Sequence, residues 1–247
     1  MERVIEVFSD AEAVSVAAAE QVVQAAAQAI VARGAFYLAL AGGSTPKRLY
    51  QHLASESYKQ QVDWTNVHIY FGDERTVAPD HSDSNYAMAC QTLLNHLDIP
   101  PRQIHRIKAE QADLQSAAQQ YEDELQVLPI TSGYPQFDLI LLGMGDDGHT
   151  ASLFPGTTAL NEHKHAVTAL TVPQLSTTRV TLTYPVINNA LNVMFLVAGG
   201  GKASRLEEVL VSASPECYPA QGVKPTIKLS WLLDEAAASQ LPVSLLA

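Results

Sequence analysis

The stretch LILLGMGDDGHTASLFPG, Leu139 to Gly156, begins as a short apolar run and turns into a loop of glycines and aspartates carrying a histidine, His149. With the residues before it the run reads FDLILLG, a buried strand that delivers a polar loop. The same grammar recurs on both sides. VIEVF (Val4–Phe8), AFYLALA (Ala35–Ala41) and VHIYFG (Val67–Gly72) read as strands upstream, and AVTALTV (Ala166–Val172), RVTLT (Arg179–Thr183) and NVMFLVAG (Asn192–Gly199) downstream. Helical segments lie between them. The longest, Ala-rich, runs from a Ser9/Glu12 capping box to a stop at Gly34. Others follow Pro46, open at Asp83 or Ser84, cover Ala112–Leu128, and begin near Lys202. Continuous apolar strands alternating with helices predict a parallel sheet covered on both faces, in one α/β domain over residues 1–247.

Composition agrees with such a core: 47% of the 247 residues are hydrophobic and 17% charged. A net charge of −11 argues against nucleic-acid or membrane-surface partners but leaves room for a small anion held by a few local cations. The two cysteines, Cys90 and Cys217, have no metal-like spacing and read as reduced thiols. MERVIEVFSD carries no signal-peptide pattern, and no run approaches the roughly 18 apolar residues of a membrane helix. The expectation is a soluble, cytoplasmic protein.

Open α/β sheets bind ligands beyond the carboxyl ends of their strands, and four such loops carry chemistry here. GGSTPKRLY (Gly42–Tyr50) combines glycines and hydroxyls with a helix start, which suits a phosphate cradle at Gly42, Gly43, Ser44 and Thr45 or an ordinary turn with a Ser or Thr cap. GGGKA (Gly199–Ala203) sets Lys202 at a helix start, where a bound anion offsets an unfavourable dipole; a solvated surface lysine is the plainer alternative. In GDER, Glu74 reads as a solvated charge, Arg75 as a cation for developing oxyanion charge, and Asp73 as its orienter. His149 follows Gly143, Gly145 and Gly148 and two aspartates, Asp146 and Asp147. Its ordinary pKa near 6.5 suits a general base. A Ser–His–Asp arrangement through Ser152 is conceivable, but no GxSxG elbow is present, and no histidine has metal-ligand spacing.

Taken together, LAGGSTPKRLY, FGDERTVAPDHSDSNYAMA, LILLGMGDDGHTASLFPGT and RVTLTYPVINNALNVMFLVAGGGKA resemble the 6-phosphogluconolactonases of the pentose phosphate pathway, with YPAQGVKP and WLLDEAAAS extending the likeness. The resemblance implies a Rossmann-like three-layer α/β/α sandwich with a mostly parallel sheet, shared with glucosamine-6-phosphate deaminases. It also implies hydrolysis of 6-phospho-D-glucono-1,5-lactone without cofactor or essential metal. The deaminases carry a glutamate and a tyrosine where this chain has Phe154 and Arg75, which favours the lactonase side of the family.

The expected machinery is His149 as base, Arg75 at the oxyanion, and Asp147 or Asp73 as orienting carboxylates. The phosphorylated sugar lactone would meet Gly42, Gly43, Ser44, Thr45 and Gly145, with charge from Arg179 and Lys202. Lys47 and Arg48 read as helix-surface residues, and Asn85 as a loop-shaping or capping one. The chain is expected to act as a monomer or small homo-oligomer. A deaminase would release ammonia from glucosamine 6-phosphate. A non-catalytic sugar-phosphate sensor would lack the histidine or carry a DNA-binding segment, for which the residues before the first strand are too few.

Overall fold

The computed structural model describes residues 1–211 and 218–245; Cys217 lies outside them. The chain order is β1 (Glu2–Phe8), α1 (Ala11–Arg33), β2 (Phe36–Leu40), α2 (Ser44–Leu53), β3 (Val67–Phe71), β4 (Asp73–Arg75), α3 (Asn85–Thr92), α4 (Leu114–Glu124), β5 (Ile130–Thr131) and β6 (Tyr134–Pro135). It continues with β7 (Leu139–Leu142), β8 (Val167–Val172), β9 (Thr177–Leu182), α5 (Tyr184–Asn189), β10 (Asn192–Val197), α6 (Ala203–Val211), β11 (Lys228–Asp234) and α7 (Glu235–Ala238), with short 3-10 turns between.

Helix α1 is capped by Asp10 rather than Ser9. The Asp10 carboxylate accepts the Ala13 N–H at 2.8 Å, placing a full negative charge at the positive end of the helix. Gly34, at φ 78, ends it as expected. At 23 residues and a mean hydropathy of 1.3, α1 is long and apolar enough to cross a membrane, contrary to the sequence expectation. Its Val14, Ala18, Ala19, Val22, Ala26 and Ala29 are instead buried in the core, and the helix packs on α2, β2 and β11.

The central sheet has six strands in the order β1-β11-β10-β7-β2-β3, every neighbouring pair parallel, and helices flank it. The architecture is the expected α/β sandwich. Strand β11 lies between β1 and β10, fully paired from Lys228 to Asp234, although the sequence reading assigned it no strand. AVTALTV and RVTLT depart from the expected parallel sheet. As β8 and β9 they form a separate antiparallel sheet with β4. Only residues 173–176 join them, a connection that fits a hairpin and is far too short for a parallel crossover.

Topology decides where a site can form. From β2 the chain steps outward to β3; from β7 it builds the sheet in the other direction through β10 and β11. The β2 and β7 carboxyl ends therefore flank a switch point, where diverging loops leave a crevice. The loops after β2, β3, β7 and β10 all open there.

Candidate active site

A cavity of about 250 Å³ fills this crevice, and its walls include Gly42, Gly43, Ser44, Thr45, Asp73, Arg75, Gly145, His149 and Lys202. Residues separated by 160 positions thus share one pocket because each follows a strand of the same sheet.

Helix α2 begins at Ser44, with Gly43 at φ 107 as its cap, so Pro46 falls in the first turn, where its missing N–H costs no helical bond. The open end of α2 faces the cavity. Gly42 has no room for a side chain, since a Cβ there would come within 2.1 Å of Asn85 Oδ1. Asn85 in turn donates through Nδ2 to the Asp73 carbonyl (3.0 Å) and carboxylate (3.1 Å). That is the loop-shaping role read from the sequence.

The β7 loop folds into a tight turn in which Gly145 N–H donates to the His149 carbonyl at 2.9 Å and Gly148 N–H to the Gly145 carbonyl at 3.0 Å. Asp147 Oδ1 accepts from His149 twice, from the backbone N–H at 3.1 Å and from Nδ1 at 2.6 Å. A carboxylate on Nδ1 holds the proton there and leaves Nε2 with its lone pair. Partial burial pushes the Asp147 carboxyl up, but the His149 N–H, ring hydrogen bond and charge together carry it below the usual carboxylate value. Asp147 is therefore ionised at neutral pH. Phe154, buried, stacks on the imidazole.

Arg75 and Lys202 supply the cations. Arg75 donates to the Asp83 carbonyl at 2.5 Å, and it lines both this cavity and an adjoining one of about 250 Å³ that includes Lys47 and Ser82. Asp73, expected to orient Arg75, bonds elsewhere: its Oδ2 accepts from Ser152 Oγ at 2.6 Å and its Oδ1 from Asn85. Ser152 is thereby committed to Asp73 rather than to His149, which removes the Ser–His–Asp arrangement. Lys202 pairs with Asp146, whose backbone carbonyl also accepts from Arg205 Nε at 2.9 Å.

Two further expectations change. Arg179 does not line the cavity; it sits opposite Arg75 in the β4–β9 register, with Nη1 donating to Thr177 Oγ1 (2.7 Å) and the Thr178 carbonyl (2.8 Å). Glu74 is not solvated. It is 4% exposed and accepts from Arg75 N–H (2.8 Å), Ser84 Oγ (3.0 Å), Asn85 N–H (2.8 Å) and Tyr86 N–H (2.9 Å). It thus caps the start of α3 from a neighbouring strand. A carboxylate one residue before Arg75 on a strand, ten residues ahead of a helix start, is the signal that could have revealed it. Arg48 faces Glu12 of α1 at 3.6 Å, a surface contact. Among the described residues, no group of three or more His, Cys, Asp or Glu gathers as a metal site.

Chemically, the crevice offers an imidazole backed by a carboxylate, a guanidinium, an ammonium and an open helix N-terminus. The family described as glucosamine-6-phosphate isomerases/6-phosphogluconolactonase matches residues 9–231. A 6-phosphogluconolactonase from Synechocystis sp. is 45% identical over 217 residues, 87% of this chain and 88% of that protein. One from Nostoc sp. is 39% identical over 246 residues, 98% of this chain and 100% of that protein. The solved structure of 6-phosphogluconolactonase from Trypanosoma brucei superposes with a TM-score of 0.87 at 29% identity, covering 98% of this chain and 99% of that one.

Proposed function

The chain belongs to the glucosamine-6-phosphate isomerase and 6-phosphogluconolactonase family, and from that premise we propose that it hydrolyses 6-phospho-D-glucono-1,5-lactone to 6-phospho-D-gluconate in the oxidative pentose phosphate pathway. The observation that carries the reading is the convergence of His149, Arg75, Lys202 and the Gly43–Ser44–Thr45 helix start on one cavity.

In this reaction His149 Nε2 takes a proton from water, and the resulting hydroxide attacks the lactone carbonyl carbon. Arg75 stabilises the tetrahedral oxyanion. Collapse breaks the bond to the ring oxygen, which takes the proton from the His149 imidazolium and leaves as a hydroxyl; the other product group is a carboxylic acid, which ionises to the carboxylate by releasing its proton to solvent. Asp147 holds the ring and balances its transient charge. The phosphate docks on the N–H groups at the start of α2 and on Lys202, with Gly42 and Gly145 forming the close walls of the sugar site. Asp73 acts indirectly, tying the β7 loop to β4 through Ser152. No cofactor or essential metal enters these steps. The same reading makes the chain a cytoplasmic enzyme, monomer or small homo-oligomer, acting on a small phosphorylated sugar.

The test is a coupled assay of wild type and His149→Ala, with the lactone's unaided hydrolysis subtracted. Wild type should exceed that background and the variant should lose roughly 10²–10⁴-fold. A wild type no faster than background would end the reading. Ammonia released from glucosamine 6-phosphate would assign the deaminase reaction instead.

A further inference from the structure

The turn that carries His149 is gripped by residues that do not line the cavity. Tyr218 and the 3-10 turn Pro219–Gly222 pass beside Gly148. Ala220 N–H donates to the Gly148 carbonyl at 3.0 Å. The Tyr218 side chain lies so close that a Cβ on Gly148 would meet its Cβ, Cγ and Cδ1 at 2.8–2.9 Å. Gly148 is buried against it at φ 77, a conformation that suits glycine.

Tyr218 is itself held. Arg205, on α6, places its guanidinium over the Tyr218 ring, 4.2 Å from the centroid. Its Nη1 pairs with Glu208, and Glu208 accepts from the Tyr218 hydroxyl. Gln221 fastens the segment to the end of α6, accepting from Tyr218 N–H at 2.9 Å and donating to the Glu208 and Val209 carbonyls at 3.3 Å. On the other flank, α5 takes hold. Tyr184 donates its hydroxyl to the Pro219 carbonyl at 2.7 Å, and Asn188 Nδ2 donates to the Gly222 carbonyl at 2.9 Å. Residues 218–222 are thus a ledge anchored to two helices, and Gly148 rests on it.

Helix α6 also reaches the loop directly. Lys202, just before the helix, and Arg205, in its first turn, take different parts of Asp146: the ammonium its carboxylate, the guanidinium Nε its carbonyl at 2.9 Å. The two contacts have different fates when a phosphate docks. The phosphate draws Lys202 from the carboxylate, while the Arg205 bond to the main chain stays. We propose that Tyr218 and Arg205 are positioning residues for His149, holding Gly148 and Asp146 so that the imidazole keeps its aim while Lys202 changes partner. They act through the backbone on either side of Asp147, the residue that bonds the ring's Nδ1. The inference rests on the lactonase reading for its effect on rate, and a base displaced by about 1 Å can lose about 10²-fold.

The experiment pairs amide hydrogen exchange with steady-state kinetics on the full chain. Tyr218→Ala should speed exchange over residues 144–150 by about tenfold or more while α2 exchanges as in wild type. It should also lower kcat about tenfold with KM little changed. Arg205→Ala should act in the same direction on both. Tyr218→Phe keeps the ring on Gly148 and should recover most of the rate and of the protection. Where circular dichroism shows Tyr218→Ala unfolded, Arg205→Ala, at a partly buried position, carries the test. Unchanged exchange over 144–150 in the folded alanine variants would overturn the proposal, whatever reaction the enzyme runs. So would a wild-type kcat, or a loss confined to KM, when wild type outpaces the lactone's unaided hydrolysis. A wild type no faster than that background ends the lactonase reading, and exchange then decides whether the ledge holds the turn.

Discussion

The His149 imidazole lies against the ring of Phe154, centroids 4.0 Å apart and planes 26° from parallel. Asp147 fixes one edge of the imidazole and Phe154 one face, so Nε2 has a single orientation toward the cavity. Phe154→Leu keeps an apolar side chain but loses the flat support, and preorganisation of the base should suffer before binding does. We expect kcat to fall by about tenfold, ~1.4 kcal/mol of barrier, with KM little changed. Phe154→Tyr should restore most of the rate. A rise in KM at constant kcat would show that Phe154 contacts substrate rather than the base.

Glu74 gives the pH prediction. Burial raises its pKa above the model-compound 4.5, although hydrogen bonds from Tyr86, Asn85 and Arg75 N–H groups oppose the shift. A folded-state pKa above the unfolded one means that protonation favours folding. The stabilisation is complete below about pH 4.5 and declines as pH rises through the folded value. Glu74→Gln cannot titrate, and its amide group turns a donor toward the part-buried Tyr86 N–H, leaving a clash worth roughly 1–3 kcal/mol. Urea unfolding should therefore find the variant less stable than wild type, with the gap widest near about pH 4.5 and narrowing toward neutrality. A gap that widens with pH would refute the sign.

Lys202 spends its charge on Asp146 when no substrate is bound, an exposed pair of the kind that contributes at most about 1 kcal/mol. A phosphate at the α2 N-terminus can therefore recruit Lys202 at small cost. Lys202→Ala should raise KM chiefly, about tenfold or more, while Asp146→Asn should lower it slightly by freeing the ammonium. Steady-state kinetics separates the two. A loss confined to kcat in Lys202→Ala would deny it the phosphate.

Much of this is legible in the sequence. The apolar runs at 36–40, 67–71, 139–142 and 192–197 named their own strands, and strand-end loops named the crevice. What escaped depended on partners distant in sequence. KLSWLLD alternates too weakly to announce β11 as a central strand, because its environment comes from β1 and β10 on either side. The β8–β9 hairpin hid behind composition that suits either sheet type; only the length of its connection distinguishes them. Glu74 looked solvated because its four donors come from its own neighbour and from a helix start ten residues on. Arg179 looked like a phosphate ligand until β4–β9 pairing turned it to Thr177 and Thr178.

Gly145 offers the sharpest structural test of the base. A Cβ built there would stand 2.1 Å from both Cε1 and Nδ1 of His149 and 2.9 Å from Asp147 Oδ1. All three lie far inside contact distance, so Gly145→Ala must displace the imidazole, the carboxylate or both. The turn itself can survive, because Gly145 has no positive φ and its N–H bond to the His149 carbonyl is open to any residue. The fold should therefore remain, with far-ultraviolet circular dichroism and thermal midpoint near those of wild type. Activity should fall toward that of His149→Ala, roughly 10²-fold or more, since a misplaced base loses its alignment with water. The product 6-phosphogluconate should still bind, because Lys202 and the α2 N-terminus are untouched. A Gly145→Ala enzyme with near-normal kcat would mean that His149 works from a different position, or that another group takes the proton.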